Sequence, residues 1–305
     1  MIITRFLTIA VILVTITITF WLVTNTHIDK QFISHPWWII ASVVFALIQK
    51  LLSPAIIISV FKSIDQKCRY WLMLWITMFS TAANASVPFP AGIPIRLVLQ
   101  QKILHIPYSA STSALAIEML LTYGSMIIFC LFTAILGYVP NFSKQLFVLK
   151  YSYFLGFIIV GFIIANVFYL ILKRYANGWI KWIHHTLKQM RDAKPKWIIF
   201  SIVVIHISMV LSLIRIELLI GSVGSYVPAI PLLVFIIISY LAGVISFIPM
   251  GLGVRDVSLG ALLVLSGVSV PAAAVVTALD RLIVSIIYLS GSAIASYRLG
   301  HHLSP

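Results

Sequence analysis

The chain has 305 residues, of which 61% are hydrophobic and only 9% are charged. A water-soluble domain carries about 25% charged residues, so this composition excludes an ordinary soluble domain and predicts an integral membrane protein. The 21 Lys and Arg against 7 Asp and Glu give a net charge of +14, and most basic residues lie in short segments between apolar runs. That placement indicates a positive-inside bias and contact with anionic headgroups rather than nucleic-acid binding.

Six apolar segments are long enough to cross a bilayer, which takes about 20 residues per helix. They span roughly 3–24, 37–60, 112–138, 150–172, 197–221 and 271–297. The first apolar run, Ile2–Val23, is too long for the core of a signal peptide and lacks a small-residue cleavage site. We therefore expect an uncleaved first helix.

Two further apolar segments, 70–106 and 229–268, are interrupted by proline and glycine. The first is broken at Val87–Pro94 and the second at Ile248–Gly253. Proline removes a backbone donor and glycine weakens a helix, so neither segment is expected to form one continuous helix. Broken backbone at membrane depth persists only where protein or a wet cavity satisfies its polar groups. The two breaks should therefore face the protein interior.

The distribution of basic residues discriminates between two topologies. If each broken segment crossed the membrane once, the basic loop 61–69 and the basic linker 173–196 would lie on opposite sides, against the positive-inside bias. If each broken segment instead returns to its own side as a re-entrant hairpin, both basic segments share the cytoplasmic side with Arg5, Lys102 and Arg298. We therefore predict a multi-pass protein of the cell (inner) membrane with both termini cytoplasmic.

The same topology divides the chain into two halves, 1–148 and 149–305, each containing one hairpin and inverted relative to the other. Pro90–Arg96 aligns without gaps on Pro249–Arg255, and proline, glycine and arginine coincide. Inverted repeats with broken helices near the midplane are typical of secondary transporters. The predicted fold is an all-α polytopic membrane protein with about six full transmembrane helices and two re-entrant hairpins, arranged as an inverted repeat.

Charged residues inside the apolar segments are the candidate functional residues, because each costs about 2.5–3.5 kcal/mol at the bilayer centre even on the mildest scale. They are Arg96, Glu118, Arg215, Glu217, Arg255, Asp256, Asp280 and Arg281. Arg96 and Arg255 follow the two breaks, where a guanidinium can grip a phosphate through two hydrogen bonds. Free backbone N–H groups at the start of each short helix, near Gly92, Gly251 and Gly253, are expected to add to such an anion site. The alternative is that each arginine only locks the fold by pairing with a carboxylate.

The carboxylates have two candidate roles. Glu118 and Asp280 are predicted either to neutralise these arginines and bind a coupling proton, or to form permanent ion pairs. Asp256 and Arg281 each adjoin another charge in the sequence. Because neighbouring residues on a helix face different ways, we expect pairing between segments rather than between neighbours.

The remaining polar residues suggest no further chemistry. Arg215 and Glu217 lie near the outer end of their span and are expected to reach the interface by snorkelling, and Lys50 is also expected to snorkel. Cys68 and Cys130 occupy a basic loop and an apolar run, so neither a disulfide nor a metal site is expected. Because the common enzyme motifs are absent from the sequence, we expect no cofactor, no metal and no enzymatic activity.

Several motifs near the C-terminus resemble a known family. They are Ile248–Asp256, Gly267–Ser269, Ala272–Ala274 and Leu279–Leu282. They resemble the C-terminal signature of the lysylphosphatidylglycerol synthase transmembrane (flippase) region, and Pro90–Gly92 with Arg96 is similar to its weaker N-terminal motif. Met250 stands where the family usually has a second glycine, and Asp256 where it has glutamate.

The resemblance implies lipid translocation. In fused members of the family the membrane region moves an aminoacylated phospholipid between leaflets, and a soluble C-terminal domain performs the aminoacyl transfer. The chain ends at Pro305, which leaves no room for such a domain, so that transfer activity is not expected. The expected partners are an anionic lipid or a polyprenyl-phosphate lipid, with a second copy of the chain or a separate synthase as further candidates.

Three functional hypotheses follow. The leading one is a flippase or transporter that moves an anionic phospholipid or a lipid-linked phosphate between leaflets. The first alternative is a membrane-embedded transferase that uses Asp256 or Asp280 as its base. The second alternative is a non-catalytic scaffold in which the charges only stabilise helix packing.

Overall fold

The computed structural model describes residues 34–86, 91–136, 186, 188–189, 191–246 and 248–303. Throughout these ranges the regular secondary structure is helical, which confirms the all-α prediction for this part of the chain. The predicted spans 3–24 and 150–172, most of the linker 173–196 and residues 87–90 of the first break lie outside the described residues.

Eight α-helices follow one another in the described ranges, and a 3-10 turn, Pro249–Gly251, lies between the sixth and the seventh. They are α1 (Pro36–Ser63), α2 (Tyr70–Ser86), α3 (Gly92–Leu104), α4 (Tyr108–Ile135), α5 (Pro195–Ser222), α6 (Ala229–Ile245), α7 (Val254–Leu265) and α8 (Val270–Leu303).

Four helices are long and apolar enough to cross a membrane, namely α1, α4, α5 and α8. α1, α4 and α5 have 28 residues each. At 1.5 Å per residue such a helix is about 42 Å long, more than the roughly 30 Å of a hydrocarbon core. The four helices correspond to the predicted spans 37–60, 112–138, 197–221 and 271–297, and the protein is a multi-pass membrane protein.

Both predicted breaks interrupt the helices where proline and glycine are concentrated. α2 ends at Ser86 and α3 begins at Gly92, and α6 ends at Ile245 before α7 begins at Val254. The two helices that flank each break pack against each other, α2 on α3 and α6 on α7. Each broken segment therefore contributes two short helices that pack against each other.

Gly251 shows why the second break requires glycine. Its φ is +62°, in the left-handed region that side chains disfavour. A Cβ atom at this position would lie 2.8 Å from the Cα atom of Gly243 on α6 and 3.2 Å from the Cβ atom of Arg255. Because Gly251 has no side chain, the turn packs directly against α6 and Arg255 lies beside Gly243 of that helix.

α1 and α5 form the most extensive helix–helix contact of the described residues, and they run antiparallel. At one end the Ser34 N–H donates to the Ser222 carbonyl at 2.8 Å, and at the other the Lys194 N–H donates to the Ser63 carbonyl at 3.0 Å. The Lys194 side chain also pairs with Asp65 in the α1–α2 loop. The basic α1–α2 loop and the end of the basic linker therefore lie together at one end of the helices.

The middle of the α1–α5 interface is polar and closely packed. The Gln49 amide donates to the Ser208 carbonyl at 3.1 Å and to the Ser212 hydroxyl at 2.5 Å, and the hydroxyls of Ser59 and Ser201 are 2.6 Å apart. Helices in lipid associate through small residues and interhelical hydrogen bonds rather than through hydrophobic burial. This interface is therefore suited to holding two membrane helices together.

Two apolar cores flank the α1–α5 interface. One joins α5, α6, α7 and α8 around Leu219, Phe235 and Leu263, and the other joins α1, α2 and α4 around Phe61 and Met73. The candidate functional charges of the second half belong to the same helices as the first of these cores.

Candidate functional site

Asp280 on α8 is the carboxylate at the centre of the buried charges. Arg255, the second residue of α7, donates from Nη2 to Asp280 Oδ2 at 2.8 Å. The other carboxylate oxygen, Oδ1, pairs with Arg215 Nη1 of α5. The Asp280 side chain is only 3% exposed, so one buried carboxylate serves two guanidinium groups.

The position of Arg215 corrects the expectation that it reaches the interface by snorkelling. Its residue exposure is 0%, because it points into the contact between α5 and the helices of the second half. Ser212, Arg215, Leu219 and Ser222 are all buried and recur at spacings of three and four, which places them on one helical face. That spacing is the sequence signal that could have identified Arg215 as an interior charge.

Lys50 on α1 was also expected to snorkel, but it is half-buried and contacts a tyrosine of α8. Its Nζ atom donates to the Tyr288 hydroxyl of α8 at 2.6 Å and lies 4.5 Å from the centroid of that ring. Tyr288 in turn lies within electrostatic range of Arg215. The second span of the first half therefore adds a third cation to the charges of the second half.

Tyr240 on α6 is the side chain around which these cations gather. The Arg255 guanidinium lies 4.1 Å above the centroid of its ring, in the geometry of a cation–π contact. The charges of Lys50, Arg215 and Arg281 also act on the Tyr240 hydroxyl. We name Lys50, Arg215, Tyr240, Arg255, Asp280 and Tyr288 the central cluster.

The central cluster carries more positive charge than it neutralises. Lys50, Arg215 and Arg255 all act on Tyr240. The one carboxylate among them, Asp280, pairs with the two arginines, which are close enough to repel each other. Nε and Nη2 of Arg215 and Nε of Arg255 are buried and have no hydrogen-bond partner among the described residues. Buried polar groups are normally paired, so these N–H groups point to a site for an anionic ligand.

Asp256 and Arg281 form a second, self-contained pair. Arg281 binds the carboxylate through two nitrogens, Nε at 3.0 Å and Nη2 at 2.6 Å from Asp256 Oδ2. Its third nitrogen, Nη1, lies 3.5 Å from the Met250 carbonyl in the turn. This pair holds the turn and the start of α7 against α8, and it adds no net charge to the interior.

One comparable pair occurs among the described residues of the first half. Arg96 of α3 contacts both carboxylate oxygens of Glu118 on α4, with Nη1 3.4 Å from Oε1 and a shorter contact between Nη2 and Oε2. The side chains are 13% and 21% exposed, so this pair is less buried than Arg255 and Asp280. The two halves therefore both link the helix after the break to the next long helix, but the first half does so with no surplus charge.

A family model identifies the chain. The model of the lysylphosphatidylglycerol synthase TM region matches residues 3–291, far beyond the motifs that carried the resemblance. The chain belongs to this family. Comparisons with curated proteins and with solved structures give no match. Membership places the chain among lipid-related membrane proteins.

In this family member the glycines at the breaks do not present free N–H groups. The Gly92 N–H donates to the Asn84 side-chain oxygen at 2.7 Å, and the Gly251 N–H donates to the Ile248 carbonyl at 2.8 Å. The Gly253 N–H faces Asp256 Oδ2 at 3.3 Å. These three N–H groups therefore already have protein acceptors, and their part in an anion site stays a prediction.

The remaining candidate residues are metal-ligand groups, the two cysteines and Glu217. The described residues contain no group of three His, Cys, Asp or Glu side chains that could hold a metal ion. Both Cys68 and Cys130 are free thiols. Glu217 lines a cavity of about 410 Å³ with Trp38, Gly221 and Tyr226, on a face of α5 away from the central cluster.

Proposed function

We propose that this protein is a flippase or transporter that moves an anionic phospholipid or a lipid-linked phosphate between leaflets. The family supports a lipid-related membrane function. The observation that carries the proposal is the surplus of buried cations around Asp280, with guanidinium N–H groups that have no protein acceptor among the described residues. A phosphate satisfies both the charge and the hydrogen bonds.

In the proposed transport cycle, a lipid phosphate replaces the carboxylate in each arginine–carboxylate pair. In the substrate-free protein the Asp280 carboxylate pairs with the Arg255 guanidinium. A headgroup phosphate competes with that carboxylate for the same guanidinium. Arg96 and Glu118 provide the equivalent exchange in the first half. Glu118 and Asp280 accept a coupling proton when the phosphate displaces them, because a released carboxylate in a low-dielectric interior favours its neutral form.

The proposed architecture is two inverted repeats, 1–148 and 149–305, with six crossings and two re-entrant hairpins. Three observations support it: the antiparallel contact of α1 with α5, the packing of α2 on α3 and of α6 on α7, and the basic residues gathered at one end of the helices. Broken helices are tolerated at membrane depth only where protein or a wet cavity satisfies their polar groups, so we infer that both breaks face the protein interior. The positive-inside bias assigns the basic end to the cytoplasm, with both termini on that side of the cell membrane.

A headgroup-translocation assay in proteoliposomes tests the proposal. Arg255→Ala and Arg96→Ala are each expected to slow movement of an anionic lipid at least about tenfold, which corresponds to about 1.4 kcal/mol. Lys62→Ala is the matched control, because Lys62 lies over Trp197 at the basic end of the helices rather than in the interior. Wild-type rates in both arginine variants would show that the site is assigned wrongly.

The structure offers less support for catalysis. A transferase would need Asp256 or Asp280 as a free base, but Arg281 grips the first and two arginines hold the second. Proton abstraction needs a carboxylate within hydrogen-bond reach of the substrate rather than one already occupied by arginines. We therefore propose transport without enzymatic activity, and product formation by the purified protein with a lipid donor would argue for a transferase instead.

A further inference from the structure

The described residues supply too few carboxylates to neutralise the central cluster. Only 7 Asp and Glu occur in the sequence. Asp65 pairs with Lys194, Glu118 with Arg96, Asp192 with Arg191 and Asp256 with Arg281; Glu217 lines the separate cavity, and Asp29 lies outside the described residues. Asp280 is thus the one carboxylate that the described residues place among Lys50, Arg215 and Arg255. Within the described part of the chain, two positive charges remain there without an acidic partner.

Glu217 does not supply the missing charge, although it is only two residues from Arg215. Residues two apart on a helix do not face the same way. Glu217 faces Trp38 and Gly221 on another side of α5, whereas Arg215 is enclosed beside Asp280. The surplus therefore belongs to the ligand site rather than to an unassigned ion pair.

We infer that the central cluster binds a phosphate group with two negative charges, a phosphate monoester, in preference to a phosphodiester with one. This inference rests on the proposed function and specifies its substrate class. A monoester carries about −1.5 to −2 charges at neutral pH and three strongly accepting oxygens. It matches the two surplus charges, and its oxygens match Lys50 Nζ and the unpartnered N–H groups of Arg215 and Arg255.

Binding of short-chain lipids to the purified full-length protein tests the preference. Dioctanoyl phosphatidic acid presents a monoester and dioctanoyl phosphatidylglycerol a diester on the same glycerol backbone. Calorimetry or native mass spectrometry at about pH 8 is expected to show about tenfold or tighter binding of the monoester. Equal affinities of the two lipids would overturn the inference.

The pH dependence gives an independent readout. The second pKa of a phosphate monoester is about 6, so its affinity should fall between about pH 8 and about pH 5, while that of the diester stays nearly constant. The groups that face the ligand are Lys50, Arg215, Tyr240, Arg255, Asp280 and Tyr288, with Arg281 and Asp256 one contact further away. A parallel pH dependence for both lipids would assign the titration to these protein groups and contradict a monoester site.

Lys50 allows a test that spares the buried ion pairs. Lys50→Met removes one surplus charge and is expected to bring the affinity ratio of monoester to diester close to one, whereas Lys50→Arg keeps the charge and most of the ratio. Lys62→Met is the control on the same helix and should leave the ratio unchanged. An unchanged ratio in folded Lys50→Met protein would show that Lys50 is not part of the site.

Two further measurements distinguish a lipid from a soluble source of the monoester, and failure of the monoester preference from failure of the proposed function. Glycerol 3-phosphate carries the same phosphate without acyl chains, so binding of both glycerol 3-phosphate and phosphatidic acid supports the charge preference. Tighter binding of phosphatidic acid indicates a lipid source, and tighter binding of glycerol 3-phosphate indicates a soluble one. Translocation of phosphatidylglycerol at the same rate as phosphatidic acid would refute the monoester preference while the flippase proposal stands. Tight monoester binding without translocation of either lipid would refute the flippase and leave the anion site in place.

Discussion

Replacing Asp280 with asparagine isolates the energetic role of the central carboxylate. The variant keeps the shape of the side chain but leaves Arg215 and Arg255 without their shared negative charge. Removing one partner of a buried ion pair costs about 3–5 kcal/mol, and here two arginines lose their partner at once. A loss of that size is a large fraction of the roughly 5–15 kcal/mol that stabilises a typical folded protein.

Heating the purified protein in detergent and measuring the folded fraction by size-exclusion chromatography tests this magnitude. Asp280→Asn is expected to lower the midpoint by about 5–8 °C, since an unfolding entropy of about 2.1 cal/mol/K per residue makes 1 kcal/mol worth about 1.6 °C in a chain of 305 residues. Glu118→Gln is the matched control, because its more exposed pair with Arg96 leaves only one arginine unpaired and a smaller loss is expected.

Two further results decide whether charge is the cause. Arg215→Met in the Asp280→Asn background should recover part of the loss, because it removes an uncompensated buried cation. An anionic lipid should also stabilise Asp280→Asn more than it stabilises the wild type. Equal midpoints for Asp280→Asn and Glu118→Gln would refute the reasoning, because the two carboxylates would then be energetically equivalent.

The other predictions concern the turn and the basic loop. Gly251→Ala should destabilise the protein by about 1–3 kcal/mol, because the alanine must adopt a φ of +62° and its Cβ atom would lie 2.8 Å from the Cα atom of Gly243. The control Gly124→Ala, where the helix surface is open, should be neutral or slightly stabilising. Equal thermal midpoints of the two variants would contradict this prediction. Burial raises the pKa of the Cys68 thiol to about 12, partly offset by Lys62. The thiolate is therefore scarce at neutral pH, and alkylation followed by mass spectrometry should be slow there and accelerate as the pH rises towards the pKa; rapid labelling at neutral pH would contradict the burial.

Local sequence signals were sufficient for the helices and their breaks. Uninterrupted apolar runs predicted α1, α4, α5 and α8, because the length of a membrane helix follows from bilayer thickness alone. The breaks at Val87–Pro94 and Ile248–Gly253 also depend on local chemistry, since proline and glycine act on their own backbone. The family signature lies in the same segment, so fold and family could be predicted together.

The central cluster could not be predicted in the same way, because it depends on which helix faces meet. Arg215 and Lys50 appeared able to snorkel, and only the packing of α5 and α1 against α8 shows that they do not. The glycine N–H groups differ in this respect. Asp256 accepts from the Gly253 N–H three residues earlier, as in a capping box, whereas the Asn84–Gly92 contact depends on how α2 packs on α3. Sequence reasoning identified the costly charges, but their partners required the tertiary structure.

The unequal charge of the two halves assigns different roles to Arg96 and Arg255, to which the sequence analysis gave the same role. Arg96 has one carboxylate of its own, so its release requires Glu118 to be displaced or protonated. Arg255 shares Asp280 with Arg215 in a region of surplus positive charge, so a phosphate can displace Asp280 from Arg255 while Arg215 still holds the carboxylate. Loss of Arg255 should therefore weaken binding of the anionic lipid, and loss of Arg96 should slow translocation with little change in affinity. A measured affinity loss in Arg96→Ala as large as in Arg255→Ala would mean that the two halves contribute equally to the resting site, despite their different charge.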